Sequence, residues 1–158
     1  DLIERLEWAS GNAEDHDATA IEEAISLLEG SGKKRRTIDQ VREWHDTFGV
    51  PNLTEPALPA DRIQLRLAIL EEEVAELRTA VEAGDMIETI DALTDIQYVL
   101  DGTYLEFGMA DIKDEAFARV QASNMSKLGE DGKPIYREDG KVLKGPNFFK
   151  PDFTDLIK

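Results

Sequence analysis

The chain has 158 residues, 41% apolar and 33% charged, with a formal net charge of −16. That length and composition describe a soluble globular protein of one domain, or one domain with an arm, large enough to bury a core. The lack of cysteine excludes disulfides and thiolate metal sites, and the acidic balance argues against nonspecific binding to nucleic acid or to an acidic membrane.

No apolar run approaches the ~18–20 residues that span a bilayer, and no secretory signal pattern is present. A cytoplasmic protein without membrane or nucleic-acid partners is expected. The charge is uneven: residues 1–120 carry −17 and residues 121–158 carry +1. An acidic body therefore bears a near-neutral, lysine-bearing tail.

Residues 1–32 read as two short helices, marked by Leu2, Ile3 and Leu6 and then by Ile21, Ile25 and Leu28. Lys33-Lys-Arg-Arg36 reads as a solvated basic linker, so residues 1–36 form an N-terminal arm and residues 37–158 the main domain. Thr37-Ile-Asp-Gln40 is a capping box that opens a helix carrying Ile38, Val41, Trp44, His45 and Phe48, with the two large aromatics expected in the core. A proline-bearing loop follows. The next helix covers roughly residues 61–83 and ends at Gly84. Asp85-Met-Ile-Glu88 is a second capping box and opens a helix to about Phe107, ended by Gly108. Asp111 is expected to cap a helix running to about Ser126. In the tail, the Asp139-Gly140 turn lies between short β-like runs and predicts a hairpin. The tail from 128 to 158 is expected to act as a lid. The fold class is all-α, an antiparallel helical bundle with a small C-terminal β-hairpin-like tail.

The chemistry gathers on two helices. Ile63, Leu67, Leu70, Val74, Leu77 and Val81 form one apolar stripe on the first. Glu72, Glu73 and Glu76 lie on a second face, otherwise apolar, in line with Leu65, Ile69 and Ala80. A carboxylate on a packed face is costly unless something charged pairs with it. On the following helix Glu88, Asp91 and Asp95 are spaced three and four apart, forming one stripe. Asp95 is the only formal charge in Ala92–Leu100; a lone Asp in such a run is paired, protonated or metal-bound far more often than solvated. The short connection packs the two helices antiparallel, so that the acidic stripes can face each other and hold a hard cation through oxygen ligands. A di-iron carboxylate bundle needs Glu-x-x-His on two helices, and neither His16 nor His45 follows a Glu by three.

These residues carry a resemblance. Glu72-Glu-Val-Ala-Glu76 and Asp95-Ile-Gln-Tyr-Val99 are similar to the E-E-x-x-E … E-x-x-D pattern of the all-α nucleoside triphosphate pyrophosphohydrolases. That superfamily comprises the MazG-like enzymes, the dimeric all-α dUTPases and phosphoribosyl-ATP pyrophosphohydrolase. Val41-Arg-Glu-Trp-His45 resembles its N-terminal helix, and Ser123-Asn-Met-Ser-Lys127 with Gly140-Lys-Val-Leu-Lys144 resembles the closing segment of the MazG-like branch. The likeness covers about residues 37–153. One position departs: the family Glu three residues before Asp95 is Ala92 here, so Asp91 or Glu88 is left to take its place.

The resemblance implies hydrolysis of a nucleoside triphosphate between the α- and β-phosphates, giving the monophosphate and pyrophosphate. It implies Mg²⁺, with Mn²⁺ as a possible substitute, held by Glu73, Glu76, Asp95, Asp91 and, as an outer ligand or supporting group, Glu88. Glu72 is the candidate general base. Lys127, Lys141 and Lys144 are candidates for gripping phosphates, Asn124 is placed near the nucleotide, and His45 is a candidate for touching base or sugar. A pyrimidine deoxynucleotide such as dUTP and a homodimer are the family's tendencies. The rival reading is a non-catalytic helical bundle, regulatory or interacting, that has kept the metal-binding fold and lost the chemistry.

Overall fold

The computed structural model describes residues 35–157. The chain divides into units 1–36 and 37–158. The two helices expected within residues 1–32, and His16, lie outside the described residues.

Four α-helices build the second unit: α1 (Thr37–Phe48), α2 (Ala60–Ala83), α3 (Met86–Glu106) and α4 (Lys113–Met125), with a 3-10 turn at Ala110–Ile112. The α2–α3 hairpin turns on two residues. Gly84 takes a left-handed conformation (φ 70°) and Asp85 caps α3, its side chain accepting from the amides of Ile87 and Glu88. Asp111 does not cap α4: it sits inside the 3-10 turn, and Ile112 precedes α4 without a side-chain cap.

Because the turn is tight, α2 and α3 run antiparallel in one fixed register. Arg62 meets Glu106, Arg66 meets Gly102 and Thr103, and Glu73 lies in the field of Asp95. Alanine marks the seam at Ala80 and Ala92, both buried. Gly102 leaves room there: a Cβ would stand 2.8 Å from Arg66 Nη2 and 3.0 Å from His45 Nε2, and those side chains would have to shift. The apolar core lies at the other contact of α3, with α1, and consists of Ile38, Val41, Leu105 and Ala110 with Tyr104 packed on it. The loop before α2 satisfies the carbonyls that end α3: Leu53 N–H donates to Leu105 C=O and Ala57 N–H to Phe107 C=O, both at 3.0 Å.

The predicted apolar stripe of α2 does not become the core. Leu67, Val74 and Val81 are 49%, 46% and 58% exposed. Trp44 and Phe48 are likewise exposed, stacked on each other at 4.8 Å rather than buried. The face of α2 that meets α3 is the mixed one, carrying Arg62, Arg66, Glu73 and Ala80.

The hairpin expectation for the tail is corrected. Among the described residues no strand forms. Around Asp139-Gly140 there is one antiparallel bridge, Tyr136 to Val142, with Arg137 N–H donating to Lys141 C=O at 2.8 Å. Ile135, Tyr136, Val142 and Leu143 are all exposed, and a two-stranded ribbon with nothing to pack against is marginal.

Candidate active site: an acidic cleft between α2 and α3

Near the turn, α2 and α3 leave a cleft of about 440 Å³. Glu72 and Glu76 line it from α2, Glu88 and Asp91 from α3, and Ala75, Ala80 and Ala92 give it width. Ala92 stands where the family pattern has a carboxylate, and it is buried. Glu73 and Asp95 are half-buried alongside. Burial pushes the Glu73 carboxyl above its usual range, and the charges of Asp95, Glu76, Glu72 and Asp91 push it further. Five of the six acids predicted from the sequence therefore share one electrostatic neighbourhood. Glu88 borders the same cleft without contributing to the shift of Glu73.

Apart from the Thr79 hydroxyl, the polar side chains lining the cleft are carboxylates, which suits a hard divalent cation rather than a thiophilic one. Among the described residues, no three His, Asp or Glu side chains stand together as a ready-made metal site. Like charges brought onto one cleft splay apart unless a cation draws them in. The donor chemistry and the acids around half-buried Glu73 fit such an ion.

The sign of the Glu73 shift gives a prediction. A raised carboxyl favours the folded state while protonated, and that advantage is lost as pH rises through its folded value. Without metal, wild type should lose stability relative to Glu73→Gln as pH rises above about 4.5. Thermal melts of both proteins across that range check it; parallel curves would mean that Glu73 is simply solvated.

The remaining candidates lie elsewhere. His45 is buried, 1% exposed, with Nδ1 against the Pro51 carbonyl at 3.1 Å, and it does not line the cleft. It packs α1 against Gly102 of α3. Asn124 and Lys127 sit at the end of α4, where Lys127 Nζ donates to Asn124 Oδ1 at 2.7 Å. Lys144 stands over the Phe148 ring at 4.4 Å, and Lys141 is exposed on the tail turn. None of these four lines the acidic cleft.

A second charged cluster escaped the sequence reading. Glu106 is fully buried, held by Arg62 (Nε to Oε2 2.6 Å, Nη2 to Oε1 2.9 Å) and by Arg66 (3.3 Å). Arg66 also donates to Thr103 Oγ1 and to the Val99 carbonyl. Asp101, equally buried, accepts from Gln97 Nε2 at 3.0 Å and pairs with Lys113. These groups clamp α2 and α4 onto α3.

The helical unit brings acids from two antiparallel helices to one cleft. Residues 41–124, more than half of the chain, match the family model described as phosphoribosyl-ATP pyrophosphohydrolase (PRA-PH), and the chain belongs to that family. Among solved structures it is similar to one described as "a putative NTP pyrophosphohydrolase" from Exiguobacterium sp. 255-15. The identity is 30%, over 75% of this chain and 90% of that one, with a TM-score of 0.40. No match was found among the curated proteins. Among the described residues no helix is long and apolar enough to cross a membrane.

Proposed function

We propose that this protein hydrolyses a nucleoside triphosphate between its α- and β-phosphates, releasing the monophosphate and pyrophosphate, with Mg²⁺ as cofactor and Mn²⁺ as a substitute. The observation that carries the reading is the cleft itself: two antiparallel helices bring Glu72, Glu76, Glu88 and Asp91 to one opening, with Glu73 in the field of Asp95. Glu73, Glu76, Asp91 and Asp95 are the residues to hold the cation, with Glu88 further out. Bound there, the ion supplies charge screening for the phosphates and a more acidic water. Glu72, exposed at the cleft wall, is the group to accept the proton of the attacking water. Asn124, Lys127, Lys141 and Lys144 grip phosphate oxygens. Phosphoryl transfer needs charge neutralisation and placement more than covalent help, which suits a site without a protein nucleophile. The superfamily resemblance of the sequence, which takes in the dimeric dUTPases, is the support for a pyrimidine deoxynucleotide substrate.

Pyrophosphate release from the common NTPs and dNTPs and from dUTP, with and without Mg²⁺, tests the reading. Release from none of them would favour a bundle that kept the fold and lost the chemistry, for which Ala92 in place of a family Glu is the specific motive.

The active form is proposed to be a homodimer. Val81, Ile87, Ile90 and Leu93 cluster near the hairpin turn and are all more than half exposed. Exposed apolar surface on that scale marks an interaction face, and a second copy supplies a like surface. Light scattering at micromolar concentration should give a dimer mass; a monomer would refute it.

The tail is proposed to close over bound nucleotide. Amides of residues 129–144 should gain protection from hydrogen exchange when Mg²⁺ and a nonhydrolysable analogue are added. Unchanged exchange would remove the lid role.

A further inference from the structure

A second cavity lies towards the other end of α3, between that helix, α4 and the C-terminal segment. Its volume is about 670 Å³, larger than the acidic cleft, and the two share no lining residue. Leu100 and Tyr104 line it from α3, Phe117 and Val120 from α4, and Phe153 and Ile157 from the segment beyond. Spacings of four and three put each helical pair on one face of its helix. The third wall is held in place from α4. Arg119 donates to the Asp152 carbonyl at 2.8 Å and to both carboxylate oxygens of Asp155, and Ser123 Oγ donates to the Phe149 carbonyl at 2.8 Å. These bonds fix the stretch of chain that carries Phe153 and Ile157.

The polar end of the cavity is built from behind. Asp101 is fully buried and holds two of the lining residues. It accepts from Gln97 Nε2 at 3.0 Å and pairs with Lys113 through its other oxygen. Lys113 Nζ also stands 5.8 Å from the centre of the Tyr104 ring, and its side chain is 18% exposed. An ammonium carries three donors, and the bond to Asp101 uses one. Among the described residues that line the cavity, Lys113 alone carries a formal charge, in a chain whose net charge is −16. A wall without a carboxylate is thus a local exception on an acidic protein.

The charge and the walls together select a ligand. A wholly apolar molecule would cover the Lys113 ammonium without pairing it, at a cost in desolvation. A phosphate would meet one cation and gain nothing from the aromatic walls. The geometry points to a binding site for a small monocarboxylate with an apolar body: the body lies among Tyr104, Phe117 and Phe153, and the carboxylate meets Lys113, which Asp101 orients. Volume and lining are those of small-molecule sites, apolar pockets of roughly 300–1,000 Å³ with a few placed polar groups. The site takes no residue from the acidic cleft, so it stands whether or not the hydrolysis proposed above does.

Calorimetric titration of the full-length protein with naphthoate and with its neutral amide tests this. Naphthoate should bind at one site per chain, and the amide about tenfold more weakly or worse, the scale of one charge-assisted contact. Ala116→Trp, which fills the cavity from its α4 wall, should abolish binding. Phe117→Ser changes a side chain that is 72% exposed, so it should weaken binding while melting like wild type. Asp101→Asn/Lys113→Met removes both charges without stranding either, and should bind acid and amide alike. No saturable binding of naphthoate to wild type would overturn the inference, as would binding that survives Ala116→Trp. A double variant that still prefers the acid would remove Lys113 from the site and refute it too. If wild type ignores naphthoate and Ala116→Trp instead lowers the mass seen by light scattering, the cavity is covered by a second copy of the chain and the inference is wrong.

Discussion

Glu106→Ala should destabilise the protein by about 3–5 kcal/mol, the cost of breaking a buried ion pair from one side. For a chain of this size that lowers Tm by roughly 10 °C. Both oxygens of Glu106 are engaged, by Arg62 and Arg66, and the side chain is out of contact with water. Removing it strands two guanidiniums unequally. Arg62 is 24% exposed and can swing into solvent, whereas Arg66 is 9% exposed and cannot. Burial already pulls the Arg66 guanidinium below its usual range, against the pull of Glu106, so without Glu106 its charge has little left to compensate it. Replacing Arg66 and Glu106 together by Met and Leu should therefore recover most of the loss, since a packed apolar pair of similar volume is often as stable as a buried ionic one. Denaturant melts of the three proteins check this. A loss below about 1 kcal/mol for Glu106→Ala would class the cluster with surface ion pairs.

This cluster also shows what the sequence disclosed and what it did not. The α2–α3 hairpin was legible because its signals are local: Gly84 for the left-handed turn, Asp85 for the cap, helix formers on either side. The acidic cleft was legible because a short connection leaves antiparallel packing, and acids at three and four spacings then meet. The same reasoning that singled out Asp95 in an apolar run applies to Asp101 and to Glu106 in Tyr104-Leu-Glu-Phe107, and it would have found both. Their partners were harder. Arg62 and Arg66 stand on a helix rich in charges, and only the register set at Gly84 shows which of them face inward.

The apolar stripe of α2 misled for a different reason. Amphipathic periodicity marks a face that needs covering but not what covers it. Ile63 through Val81 is such a face, and within the described residues much of it stays exposed. The seam with α3 is instead mixed and polar, held by ion pairs and by the small residues Ala80, Ala92 and Gly102. His45 shows the same limit at one residue. In the sequence it is a candidate for touching base or sugar although its aromatic neighbours favour packing, and the structure buries it with Nδ1 against the Pro51 carbonyl and Nε2 opposite Gly102.

The second large effect is expected at Glu76→Gln, which should lower turnover by about a hundredfold or more while leaving the metal-free fold as stable or more so. Glu72, Glu73, Glu76, Asp91 and Asp95 crowd negative charge into one neighbourhood, and the Glu73 carboxyl is raised first by burial and then by those charges. Gln keeps the shape of Glu and removes one of the charges, so the metal-free protein should melt at the same temperature or higher. Under the proposed function, Mg²⁺ held by the assembled carboxylates would stabilise the folded state by mass action. Glu76→Gln takes away a strong oxygen ligand, so the rise in Tm on adding Mg²⁺ should shrink towards zero. The loss of turnover follows from the same deletion: one preorganised electrostatic group is worth about 3 kcal/mol of barrier. Melts with and without Mg²⁺ are independent of the assay, so the metal reading and the catalytic reading can fail separately. An unchanged Mg²⁺ response would remove Glu76 from the cation site whatever happens to turnover. A collapsed response with wild-type turnover would leave a metal site that the chemistry does not use.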